Sequence, residues 1–159
     1  MIGLRYNYKI KKGDDILKKE IKSFTGKNFF LSNFYPCKIK DKDGLEFDSS
    51  EAYFQSMKTT DPIIRQKFVG LAPDESKKLG RRIALRPDWE EIKDQVMMEV
   101  LEAKFSQNPD LSKLLVETED ALLVEGNTWG DKYWGVCKGV GENHLGIILM
   151  KIRDSYLNK

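Results

Sequence analysis

The pattern that most constrains the fold runs from Asp88 to about Ser106. Trp89, Ile92, Val96, Val100 and Ala103 recur at helical spacing, with Met97, Leu101 and Phe105 beside them. Residues so spaced share one face, so this segment predicts a long helix with a broad apolar stripe that other elements must cover. Asp88, with Glu91 three residues later, resembles a capping box at its start. The remaining signals are shorter. Phe29-Phe30-Leu31 before Asn33-Phe34-Tyr35-Pro36 suits a brief strand and turn. Cys37–Lys40 and Leu45–Asp48 alternate about Asp43-Gly44, a hairpin signal. Ser49-Ser50 offers an N-cap for a helix to about Thr60, and another short helix follows around Ile63–Val69. Asp74 caps a third through Leu79, stopped by Gly80. Asn108-Pro109 opens a helix to about Val116, Ala121–Glu125 reads as a short buried strand, and 126–141 is a glycine-rich loop. Asn143 caps a final amphipathic helix. The sum is a mainly helical α+β domain with a small sheet.

The 159 residues suit one domain at roughly 150 residues each. Residues 1–22 are uneven and Lys-rich and read as an appended arm, leaving 23–159 as the domain. Lys plus Arg minus Asp plus Glu is 27 − 25 = +2, too even a balance for the broad basic field of a non-specific nucleic-acid binder. No stretch approaches a membrane span or the apolar core of a signal peptide. Cys37 and Cys137 read as reduced thiols of a cytoplasmic protein rather than a disulfide framework. With His144 the only histidine, neither a Cys/His zinc cluster nor a Ser-His-Asp triad assembles convincingly. Catalysis would fall to carboxylates, lysine, arginine and aromatics.

Four groups of residues could carry chemistry. Glu51, Gln55 and Lys58 stand at i, i+4 and i+7, one helix face, beside Tyr53, Phe54 and Met57. That face suits a cleft wall with an acid/base. Taken alone, the segment favours the plainer account somewhat: Glu51 complements the helix dipole and Lys58 is solvated. Trp129 and Trp134 flank Asp131 in the glycine-rich loop; their rings suit stacking on a base, or equally plug the edge of the core. Lys77-Lys78-Leu79-Gly80-Arg81-Arg82, with Arg86 beyond, suits a phosphate through the guanidinium groups, while Lys77 and Lys78 read better as a solvated helix end. Gly139-Val140-Gly141 before Asn143 lacks the preceding strand and third glycine of a dinucleotide fold, which is rejected. His144 reads as a capping or packing residue.

Eight ordered blocks also carry a resemblance. They are Phe30-Leu31-Ser32-Asn33-Phe34, Ser50-Glu51-Ala52-Tyr53-Phe54-Gln55 with Lys58, Leu79-Gly80-Arg81, Leu85-Arg86-Pro87-Asp88-Trp89-Glu90, Ala103-Lys104-Phe105, Leu123-Val124-Glu125, Asp131-Lys132-Tyr133-Trp134-Gly135 and Gly141-Glu142-Asn143-His144-Leu145-Gly146. Over about 24–153 the chain resembles the NADAR family. The resemblance implies cleavage of an N-glycosidic bond in a small phosphorylated ribosyl compound, either an early riboflavin-pathway intermediate or guanine carrying ADP-ribose, the second opening ADP-ribosylated nucleic acid as a substrate. It implies no metal or redox cofactor.

The same resemblance places Glu51, Trp89 and Asp131 at functional positions, with Lys58, Asn33 and Trp134 in the pocket. Glu51 would stabilise the cation at the anomeric carbon or activate water. Asp131 would orient ribose hydroxyls or assist the leaving nitrogen. Trp89 and Trp134 would hold the base, Arg81 or Arg86 the phosphate, and Phe34, Gln55 and Asn143 complete the binding set. Lys58 has a second reading, trapping a ring-opened sugar as a Schiff base. The alternative function is a module that binds ADP-ribose or a related nucleotide without hydrolysing it.

Overall fold

The computed structural model describes residues 19–159; the Lys-rich segment 1–18 lies outside them. The elements in order are β1 (Glu20–Ile21), a 3-10 helix (Gly26–Leu31), β2 (Pro36–Lys40), β3 (Glu46–Ser49), α1 (Ser50–Ser56), α2 (Pro62–Gln66), α3 (Pro73–Gly80), α4 (Trp89–Gln107), α5 (Pro109–Glu117), β4 (Leu122–Leu123), β5 (Gly126–Asn127), β6 (Val136–Cys137) and α6 (His144–Leu157). This is an α+β domain dominated by helices. The strands form three two-stranded pairs: β1 with β4 and β5 with β6, both parallel, and the antiparallel β2–β3 hairpin. Glu20 and Ile21, assigned to the arm by the sequence, pair with Leu122 and Leu123.

The long helix α4 is the central support, packing on α1, α5, α6 and β2. Its buried face carries Val96, Met97, Val100, Leu101 and Phe105, as the spacing predicts, and also Lys104, which is fully buried. Lys104 Nζ donates to the carbonyls of Phe30 at 2.7 Å and Ser32 at 3.0 Å. Burial holds its pKa down at about 8. The ammonium thereby pins the segment carrying Ser32, Asn33 and Phe34 to α4. That segment begins as a 3-10 helix rather than the expected strand.

Several expected caps are not made. Asp88 makes no cap bond; it takes two bonds from the Arg86 guanidinium, at 2.6 and 3.0 Å. α3 starts at Pro73 behind Ala72, so Asp74 lies inside its first turn, and Gly80 is a helical residue rather than a stop. Asn143 likewise does not cap α6; it has φ 55° and its amide is used elsewhere. Ser49 does cap α1, accepting from Ala52 N at 3.1 Å, but the helix ends at Ser56 rather than near Thr60. The hairpin turn follows its sequence signal: Asp41 Oδ1 accepts from the Asp43 and Leu45 amides, and Gly44 takes φ 86°. Buried Arg65 of α2 then forks onto Asp41 and Asp43 and reaches Ser56 Oγ, tying hairpin, α1 and α2 together.

Candidate active site

α1 supplies the floor of a cavity of about 550 Å³. Its start is fixed by Asn33, whose carbonyl accepts from Glu51 N at 3.0 Å and whose Oδ1 accepts from Ser50 Oγ at 2.9 Å. Glu51 is thereby buried at the first turn of a helix, and Gln55, one turn on, donates through Nε2 to Glu51 Oε1 at 2.7 Å. The other amide atom, Gln55 Oε1, is buried with no partner among the described residues. Burial pushes the Glu51 carboxyl up. The Gln55 bond and the ammonium groups of Lys77 and Lys58 oppose this, while Asp131 adds to it. Lys58 responds in the opposite sense. Burial lowers its pKa, Glu51 resists, and Arg81 and Lys77 lower it further.

α3 contributes the cationic wall. Ser76 and Gly80, both buried, stand at i and i+4 and let α3 approach α1 closely; a Cβ at Gly80 would collide with the Gln55 amide. On the adjoining face Lys77 and Arg81 line the cavity. The Lys77 ammonium lies 5.9 Å from the Phe34 ring and 6.0 Å from that of Trp129. The β5–β6 connection closes the far side. Asp131 Oδ1 accepts from the backbone N–H groups of Tyr133 (3.1 Å) and Trp134 (3.0 Å), and Asn127 bonds both backbone groups of Asp131. Trp134 packs edge-on against Phe54 of α1. From behind, Tyr133 donates to Asp94 of α4 at 2.7 Å and stacks on His144 with ring centroids 4.1 Å apart, which gives His144 the packing role expected of it.

Of the residues singled out by sequence, Glu51, Lys58, Asp131, Asn33, Phe34, Gln55, Arg81 and Trp134 line this one cavity. Arg86, Trp89 and Asn143 do not. The Arg86 guanidinium is spent on Asp88, although its backbone N–H donates to the Lys58 carbonyl at 2.8 Å. Trp89 is buried one layer back, against Phe54, with Lys58 Nζ 5.9 Å from its ring. Asn143 bridges Glu125 N and Leu123 O. Sequence reasoning left out two lining residues that matter. Lys77 is no solvated helix end, unlike Lys78, which is exposed and 3.8 Å from Asp74; its i, i+4 spacing from Arg81 was the available signal. Glu125 lies two residues beyond buried Leu123, and a carboxyl on the inward face of a short apolar strand was the clue. No group of His, Cys, Asp and Glu suited to a metal ion occurs among the described residues.

Glu51, Glu125 and Asp131 thus share an aromatic-lined cleft with Lys58, Lys77 and Arg81. The sequence model of the NADAR domain matches residues 21–156, and the chain belongs to the NADAR family. It is 40% identical over 130 residues to N-glycosidase YbiA of Escherichia coli, covering 78% of this chain and 79% of that protein. A riboflavin biosynthesis protein of Vibrio vulnificus is 38% identical over 130 residues, which cover 79% of this chain and 35% of that longer protein. The NMR structure of E. coli YbiA superposes with a TM-score of 0.78 at 35% identity, covering 90% of this chain and 88% of the other.

Proposed function

We propose that the cavity hydrolyses the ribosyl–nitrogen bond of a phosphorylated ribosylamine of the riboflavin-precursor type. The chain is an N-glycosidase, a hydrolase acting on N-glycosyl compounds, as its relatives are named. The observation that carries the finer reading is the meeting of Glu51 and Asp131, from α1 and from the β5–β6 connection, in one cavity with Lys58, Lys77 and Arg81. Heterolysis of the C1′–N bond leaves its electron pair on nitrogen and positive charge on C1′. Glu51 stabilises that charge and takes a proton from the attacking water; a carboxyl pushed up by burial is the stronger base for it. Asp131, with Oδ1 engaged by two amides, offers its second oxygen to the ribose hydroxyls. Trp134 holds the departing ring, and Lys77 and Arg81 hold the phosphate.

Glu51→Gln tests this. Base release, followed by chromatography, should vanish while the circular dichroism spectrum is kept; near-native turnover would refute the assignment.

Two finer points accompany it. Trp129 lines the same cavity and is 64% exposed, with the Lys77 ammonium 6.0 Å from its ring, an aromatic surface that suits the second ring system of an ADP-ribosyl substrate. Comparing release from ADP-ribosylated guanine and from the ribosylamine ranks the two. The lowered Lys58 pKa suits imine formation with a ring-opened sugar, expelling one water. Borohydride reduction during turnover would leave sugar on the protein if Lys58 reacts, and none if water does.

Two free cysteines, one of them buried, favour a reducing, cytoplasmic setting. No helix among the described residues is long and apolar enough to cross a membrane. The leading Lys-rich segment is read as an arm appended to this domain.

A further inference from the structure

Glu125 lines the cavity that holds Glu51 and Asp131, yet the scheme above gives it nothing to do. Its backbone is gripped on both sides. The N–H donates to Asn143 Oδ1 at 3.0 Å, and the carbonyl accepts from Val136 N at 2.8 Å. Asn143 is anchored in turn through Nδ2 to Leu123 O at 2.9 Å. Gly135 leaves room for the side chain, because a Cβ there would strike the Glu125 carbonyl and Cγ. So the main chain and the stem of the side chain are fixed, while Oε2 is buried with no hydrogen-bond partner among the described residues. An unsatisfied buried carboxyl oxygen is costly, and folded proteins keep few of them.

We propose that Glu125 is the proton donor to the departing nitrogen in the N-glycosidase reaction, a third catalytic carboxyl beside Glu51 and Asp131. As the C1′–N bond breaks, its electron pair goes to nitrogen and the Glu125 proton follows, so the base leaves neutral and Glu125 is left ionised. Water adds to C1′ and gives its proton to Glu51. Exchange with solvent then returns a proton to Glu125 and removes one from Glu51.

The surroundings keep Glu125 protonated enough for this. Burial contributes most, and Asp131 and Glu51 push in the same direction. Lys77 of α3 and Lys104 of α4 pull the other way, and the carboxyl comes to about 7. Asn143, packed on the remaining side, is neutral. A donor near the working pH holds its proton in the resting site and can still release it.

This rests on the N-glycosidase reading, and the test separates the two. The full chain is assayed with a ribosylaminopyrimidine 5′-phosphate, whose leaving amine needs a proton, and with 7-methylguanosine 5′-monophosphate, whose base leaves neutral without one. Glu125→Gln should lower kcat on the first by about 100-fold or more with KM little changed. It should also remove the decline of kcat/KM above about pH 7 that ionisation of Glu125 causes, and spare the methylated substrate. Glu125→Ala should regain turnover when imidazole is added at about pH 6.5, where about half of it is imidazolium and serves as an external acid, a recovery that misfolding would not allow. Native kcat in Glu125→Gln, a retained alkaline decline, or equal loss on both substrates would overturn the proposal. If the native chain releases base from neither substrate, the N-glycosidase reading falls instead.

Discussion

Glu51 shows how one side chain is set by opposing local effects. The first turn of α1 favours its negative charge, Gln55 and two ammonium groups favour it further, and burial outweighs them all. The face shared by Glu51, Gln55 and Lys58 was legible from spacing alone. What spacing could not reveal is that α3 and the β5–β6 connection bury Glu51 and Gln55 and leave Lys58 half-buried at the cavity wall. Lys104 is the opposite case. As a lysine in the last turn of a helix it looks like a solvated cation, and its acceptors, Phe30 and Ser32, lie more than 70 residues away in sequence. Lys104→Met should leave both carbonyls without their donor and destabilise the fold by about 1–3 kcal/mol, read from urea denaturation. The pH dependence has a definite sign. The folded-state pKa is about 8 against 10.5 for the free side chain, so between those values the unfolded chain binds the extra proton. Native stability should therefore rise, relative to Lys104→Met, as pH increases through that window. A gap independent of pH would show that Lys104 is not buried as described.

At the scale of elements, the placement of α3 against α1 decides whether the cationic wall faces the carboxyls. That contact depends on Gly80, where a methyl group would push the Gln55 amide off Glu51. Gly80→Ala should therefore lower kcat while raising helix propensity by up to about 1 kcal/mol. Undiminished turnover would mean the Gln55–Glu51 bond has no part in the reaction. Lys77→Ala should raise KM for a phosphorylated substrate more than for its dephosphorylated analogue; equal effects on both would remove the phosphate from that wall. The helices and the hairpin were legible because their signals are local: periodicity, Ser49, Asp43-Gly44, Asn108-Pro109. The 3-10 helix at 26–31 was misread as a strand because aromatic enrichment suits either, and the buried ammonium of Lys104, a distant residue, holds it where it is.

For the molecule as a whole, the cavity is shared among α1, α3, the stretch after β4 and the β5–β6 connection, with α4 and α6 bracing them from behind. A ligand that spans these elements binds the folded chain alone. Ribose 5-phosphate at 100 times its Kd should therefore stabilise the protein by about 2.7 kcal/mol, visible as a rise in Tm, and ribose should do much less. Equal shifts from both sugars would argue against a phosphate site.

Sequence by itself determined the helix-dominated α+β class, the hairpin, the Glu51–Gln55–Lys58 face and the family, because periodicity and ordered motifs survive without knowledge of neighbours. Tertiary structure alone decided which charged groups lose their water. It drew Lys77 and Glu125 into the cleft, set Trp89 behind Lys58, turned the Asn143 amide to bracing backbone and the Arg86 guanidinium onto Asp88. Desolvation depends on what packs from remote segments, and one-dimensional spacing carries little of that information.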